Sequence, residues 1–97
     1  MPRLAAGASA RDQVDVLRKR LDGSFQNVDP HRRLAGRPVT FRVIAGRTLQ
    51  ITYRDVLRVD EAELAGVQKL LGEGAAFSVT PQTAETMTVR FVVPLRP

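Results

Sequence analysis

"GRPVTFRVIAGRTLQITYRDVLRVD", residues 36–60, decides the fold. Val39, Phe41 and Val43 alternate with polar residues, and so do Leu49, Ile51 and Tyr53; a period of two is the mark of a half-buried β-strand. Residues opposed across an antiparallel pair must share one face of the sheet. A two-residue turn at Ala45-Gly46 would set Val43 against Thr48 and mix the faces. A three-residue turn, Ala45-Gly46-Arg47, sets Val43 on Leu49, Phe41 on Ile51 and Val39 on Tyr53. It also pairs Arg42 with Gln50 and Thr40 with Thr52 on the opposite face. Such a turn needs a residue in the left-handed region, which Gly46 is expected to supply. Odd-numbered side chains from 39 to 53 should therefore point inward, leaving Arg42 and Arg54 outside.

Downstream, Asp60-x-x-Glu63 reads as a capping box, and Leu64, Val67, Leu70 and Leu71 form the apolar stripe of a helix closed by Gly72 and Gly74. Gly66 inside that helix costs about 1 kcal/mol against alanine, which close approach to the sheet would offset. A second hairpin runs Ala75–Pro81 and Met87–Val93. Its five-residue loop, Gln82–Thr86, aligns Val79 with Val89 and Phe77 with Phe91, while Thr88 and Arg90 share the other face with Ser78 and Thr80. Pro81 marks a strand end or a sheet edge.

Upstream, Ser9 followed by Asp12 signals a helix start, and Ala10, Val14, Leu17 and Leu21 recur at helical spacing. Gly23 is expected to end this helix, with Arg18, Lys19 and Arg20 in its last turn against the carbonyl end of the dipole. Residues 24–38 read as a connector or arm, with Asp29-Pro30 opening a short helical turn, Gly36 stopping it and Pro38 holding Arg37 extended. The chain is thus a single α+β domain of order α-β-β-α-β-β, its four antiparallel strands forming two hairpins with a helix packed on one face. Its parts are a lead at 1–8, a helix at 9–23, the connector at 24–38 and a ββαββ core at 39–93.

Ninety-seven residues bury a modest core, and association with another subunit is a common remedy. An apolar fraction of 43% and a charged fraction of 26% are those of a globular protein rather than a disordered one. The absence of cysteine excludes disulfides and thiolate metal sites. The first residues lack the apolar run of a signal peptide, and no stretch approaches a membrane span, so a soluble product of the virion or cytoplasm is expected. The net charge of +5 is concentrated in the middle, where the stretch from His31 to Arg58 sets seven arginines against Asp55 alone.

Arg42, Arg54 and Arg58, joined by Arg32, Arg33 and Arg37 from the connector, are the candidate contact residues, for a partner subunit or for phosphates. A single-strand nucleic-acid platform also wants exposed aromatics among the charges. Phe41, Tyr53, Phe77 and Phe91 all fall on the inward phase, leaving Phe25 as the exposed one. His31 has no second histidine or acidic cluster to complete a metal site. Asp60, Glu61 and Glu63 are acids that a helix N-terminus favours. "GEGAAF" at 72–77 leaves a helix instead of entering one, the wrong polarity for a phosphate loop. No catalytic residue, cofactor site or metal site is read, and a small-molecule substrate is not expected.

Leu64-Ala65-Gly66 in an αββαββ layout resembles homing-endonuclease halves, but the acidic metal ligand of that family has no counterpart here. Residues 39–93 resemble small structural proteins of phage tails. The strand "ITYRDV" leads to the helix "DEAELAGVQKLL", a glycine exit, a strand of the "FSVT" kind and the threonine-rich strand "TMTVRFVV". Full tail-hub subunits are much longer, so the match would be to one module. The resemblance implies a non-enzymatic subunit of a tail, baseplate or neck ring, acting with other protein subunits as a homo-oligomer or ring. The alternative expectation is a small basic protein that binds nucleic acid through arginines on phosphates. An antitoxin-like partner protein is a third class, with no residue in its particular favour.

Overall fold

A computed structural model describes residues 9–26, 34, 36–45 and 47–96, with residues 23–26 described by their backbone. The elements are α1 (Ala10–Gln26), β1 (Val39–Ile44), β2 (Thr48–Val56), α2 (Glu61–Leu71), β3 (Ala76–Pro81) and β4 (Met87–Pro94). This is the α-β-β-α-β-β order read from the sequence. All four strands form one antiparallel sheet in the spatial order β1-β2-β4-β3. β2 and β3 consequently run parallel with β4 between them. Strands so related need a crossover connection, and α2 supplies it.

Both hairpin registers agree with the sequence reading. Val39 pairs with Tyr53, Phe41 with Ile51 and Val43 with Leu49. Phe77 pairs with Phe91 and Val79 with Val89. In the first turn the left-handed residue is Ala45, at φ 54°, and Gly46 lies outside the described residues. Between Tyr53 and Val56 the β2–β4 register shifts by a bulge, with Asp55 at φ 56°. An aspartate tolerates that conformation better than most residues. The bulge returns Val56 to the inner face, where it is fully buried.

The core lies between the helices and the two central strands. Val14, Leu17 and Leu21 of α1 and Leu64, Val67 and Leu71 of α2 close over Leu49, Ile51, Val89, Phe91 and Val93. Tyr53 meets Phe91 edge to face, ring centroids 6.1 Å apart. Leu34, at the end of the connector, is fully buried in the same cluster. Residues 24–26 of the expected connector belong to α1, and residues 27–33 and 35, including the expected Asp29-Pro30 turn, lie outside the described residues.

Four local readings need correction. α1 runs on to Gln26 instead of stopping at Gly23, so Arg18, Lys19 and Arg20 sit mid-helix and no basic residue occupies its last turn. Glycine permits a helix end without imposing one, and no proline follows until Pro30. Asp60 is the N-cap of α2 but makes no side-chain cap bond. Glu63 faces inward, and its Oε2 accepts a hydrogen bond from the Leu34 N–H at 3.3 Å, so the expected capping box is absent. Gly66 is exposed with nothing within 4 Å of where a Cβ would lie, which removes close packing as its reason. The inward phase of the outer strands is right but their burial is partial: Val39, Val43, Phe77 and Val79 are each roughly two-fifths exposed, because the helices cover the centre of the sheet and stop short of its edges.

The first helix signal is confirmed in detail. The Ser9 Oγ accepts from the Asp12 N–H at 3.2 Å, and the Gln13 N–H reaches the Ser9 carbonyl at 3.0 Å. Gln13 itself is buried, and its amide clasps the residue after Leu95. Nε2 donates to the Arg96 carbonyl at 2.9 Å while Oε1 accepts from the Arg96 N–H at 2.7 Å. The side chain thus imitates a neighbouring strand and ties the exit of β4 to α1.

Candidate docking face of the sheet

Alternation assigns the other face its residues. Thr40, Arg42 and Ile44 come from β1, and Thr48, Gln50, Thr52 and Arg54 from β2. β4 adds Thr88, Arg90 and Val92, and β3 adds Ala76, Ser78 and Thr80. No described element covers this face, and the described carboxylate beside it is Asp55 at the bulge, which accepts from the Gln82 Nε2 while the Gln82 Oε1 accepts from the Thr88 Oγ1. Three guanidinium groups stand on it. Cross-strand pairing lays it out in rows: Arg42 with Gln50 and Val92, then Thr40 with Thr52, Arg90 and Ser78. Arg54 continues the β2 column, its N–H donating to the Pro38 carbonyl at 2.9 Å. With strands about 4.8 Å apart and same-face residues about 6.8 Å apart along each, the three arginine Cα atoms stand about 8–14 Å from one another.

Arg90 is laid down on the face. Its Nε donates to the Thr52 Oγ1 at 3.4 Å, and Thr52 is buried beneath it. Arg42 and Arg54 are exposed. Most described carboxylates sit elsewhere, among them Asp12, Asp15 and Asp22 on α1, Asp60 and Glu61 at the start of α2, and Glu73 at its exit. Among the described residues the molecule is therefore electrostatically two-sided, with acids mixed among bases on the helix side and arginine in excess on the other, where Asp55 stands at the bulged end.

The six arginines singled out from the sequence do not converge. Arg42 and Arg54 share the face. Arg58 is exposed in the segment between β2 and α2, and Arg37 is half-buried just before β1. Arg32 and Arg33 lie outside the described residues. Arg90 joins the face because β4 pairs with β2. Its phase was readable from the second hairpin, but its neighbours depend on a contact between residues nearly forty apart. Among the described residues the face has no aromatic ring. Phe41, Tyr53, Phe77 and Phe91 are on the helix side, though Phe77 is partly exposed at the edge and Phe41 lies under the Arg18 guanidinium, 4.5 Å from its ring centre.

Two other places collect polar groups. Beneath the helices, the Tyr53 phenol is pushed well above its ordinary value near 10, first by burial and then by the Asp22 and Glu63 carboxylates. A phenol so held is a neutral structural group, not a base or a nucleophile. At the far end of the sheet, the Asp55 N–H donates to the Gln82 Oε1 at 3.0 Å, and the Gln82 Nε2 donates to the Asp55 Oδ1 at 2.6 Å. This clasp holds the β2 bulge to the β3–β4 loop. Among the described residues no group of three potential metal ligands comes together, and no helix is long and apolar enough to cross a membrane.

Comparison with family models, with curated proteins and with solved structures finds no match for this chain.

Proposed function

We propose that the protein is a non-enzymatic structural subunit that docks through the arginine-bearing face of its sheet onto an acidic surface of a neighbouring protein subunit. One observation carries this reading: Arg42, Arg54 and Arg90 stand on a face that no described element covers, and the described carboxylate beside it, Asp55 at the β2 bulge, is held by the Gln82 amide. Around them Thr40, Gln50, Thr88 and Ser78 offer hydroxyl and amide groups for hydrogen bonds at a polar contact. Asp60, Glu61 and Glu73 on another copy provide one such acidic surface, and sheet-to-helix stacking of that kind is head-to-tail, the geometry of rings and filaments. The phage-tail rhythm of residues 39–93 favours a tail, baseplate or neck assembly as the setting. Light scattering at low and high salt tests the reading. Mass should rise at low salt, fall back at high salt, and stop responding in the Arg42→Ala, Arg54→Ala, Arg90→Ala variant. A mass indifferent to salt removes docking by charge.

The second reading is nucleic-acid binding, favoured by the same three guanidinium groups and weakened by the lack of a stacking ring among the described residues of their face. Mobility-shift titration against single- and double-stranded DNA at two salt concentrations separates the two. Retardation that weakens steeply with salt and disappears in the triple variant would favour this class.

A further inference from the structure

The edges of the sheet are distinct from its docking face. The Gln82 N–H donates to the Thr86 carbonyl at 3.1 Å, and this pair continues the β3–β4 register. Bonded pairs in an antiparallel ladder recur every second residue, so even-numbered residues of β3 face β4 and odd-numbered ones turn their N–H and C=O outward. Pro81 has no N–H to offer. Ala75 is already engaged, its N–H on the Gly72 carbonyl at 3.3 Å and its carbonyl on the Gln68 Nε2 at 2.7 Å. Phe77 and Val79 remain, each with an outward N–H and C=O and a partly exposed apolar side chain.

We propose that β3 is a pairing edge for a second copy of this chain, joining two sheets antiparallel about a two-fold axis at Ser78. Setting Phe77 opposite Val79 of the second copy, and the reverse, satisfies all eight outward groups with four hydrogen bonds. Setting Val79 opposite Val79 leaves the Phe77 carbonyl unmet, and setting Phe77 opposite Phe77 draws on the engaged Ala75. The chosen register also keeps like faces together: helices on one side, arginines on the other. It brings the Phe77 ring of the second copy to the mouth of a shallow depression lined by Val79, Pro81, Thr86 and Met87. β3 has no charged residue, whereas β1, the other outer strand, carries Arg42 and lies beside Arg18 and Arg37. Charge of one sign along an edge discourages pairing, and its absence invites it.

The chain has no cysteine, so single cysteines report the register directly. At the axis the two Ser78 residues form a non-hydrogen-bonded pair with Cα atoms about 4.5 Å apart, within disulfide reach. Ser78→Cys should crosslink between copies on mild oxidation at least ~10-fold faster than Thr80→Cys, whose two copies would sit about 14 Å apart at 3.4 Å per residue. In high salt, where docking by charge is screened, unmodified protein at high micromolar concentration should scatter as twice the 10.7 kDa of the chain. Val79→Lys should return it to a monomer with unchanged circular dichroism. In high salt, a monomer at every concentration, equal crosslinking at 78 and 80, or open-ended growth would overturn the proposal. So would a dimer that dissociates in salt, which would belong to the arginine face instead.

Discussion

On one side of β2 and β4, Leu49, Ile51, Tyr53, Val89, Phe91 and Val93 are almost wholly withdrawn from water. On the other side of the same two strands, Gln50, Thr48, Thr88 and Val92 are half-open, and Thr52 is covered by an arginine that lies across it. Backbone hydrogen bonds are common to both sides, so the difference is in what the side chains meet. The helix side is closed by apolar contact and fixes stability. The arginine side makes few such contacts, and on the proposed function it is left to meet a partner. Substitutions on the two sides should therefore separate cleanly into those that unfold the protein and those that change what it binds.

The largest effect is expected at Phe91, the largest of the fully buried side chains, packed against Tyr53 and Phe77. Phe91→Ala removes its transfer energy and leaves a cavity, a loss of about 3–5 kcal/mol. Urea denaturation should show a midpoint displaced accordingly. A loss below about 1 kcal/mol would mean that the helix side is not the tightly closed core described here.

Tyr53, the single tyrosine, carries the next effect, which depends on pH. Burial raises its ionisation above the ordinary value near 10, so the folded chain keeps the phenol proton where the unfolded chain has lost it. Below pH 10 both states are protonated and the group contributes no pH dependence. As pH rises past 10 the unfolded state binds fewer protons, and stability falls. Ultraviolet titration should accordingly show tyrosinate appearing together with unfolding. Tyr53→Phe should remove that alkaline loss; a tyrosine that ionises near 10 with the fold intact would contradict its burial.

How much of this was legible in the sequence follows from the range of each interaction. Face alternation fixes a register wherever one side is apolar, so Val43 on Leu49 and Phe77 on Phe91 could be read directly. Ser9 could be read as a cap because its partner is three residues away. Glu63 could not, since its position relative to Leu34 is set by packing of α2 against the connector. The amide clasps of Gln13 and Gln82 reach residues 83 and 27 positions away, and nothing in a glutamine's neighbours announces them. The candidate docking face was half-legible: Arg42 and Arg54 came from one hairpin, while Arg90 required the adjacency of β2 and β4.

The smallest change in stability is expected from the variant that most alters binding. Arg42 and Arg54 are exposed, and the hydrogen bond that Arg90 makes across the face to Thr52 is long at 3.4 Å. Surface substitutions without buried partners usually change stability by about 0.5 kcal/mol or less. Removing three like charges that face one another also relieves repulsion, which acts in the opposite direction to the lost arginine stems over Thr52. Arg42→Ala with Arg54→Ala and Arg90→Ala should hence keep its urea midpoint close to that of the unmodified chain while losing the salt-dependent part of its mass. If the midpoint instead fell as far as in Phe91→Ala, these arginines would be part of what holds the sheet, and the division between a structural side and a docking side would fail.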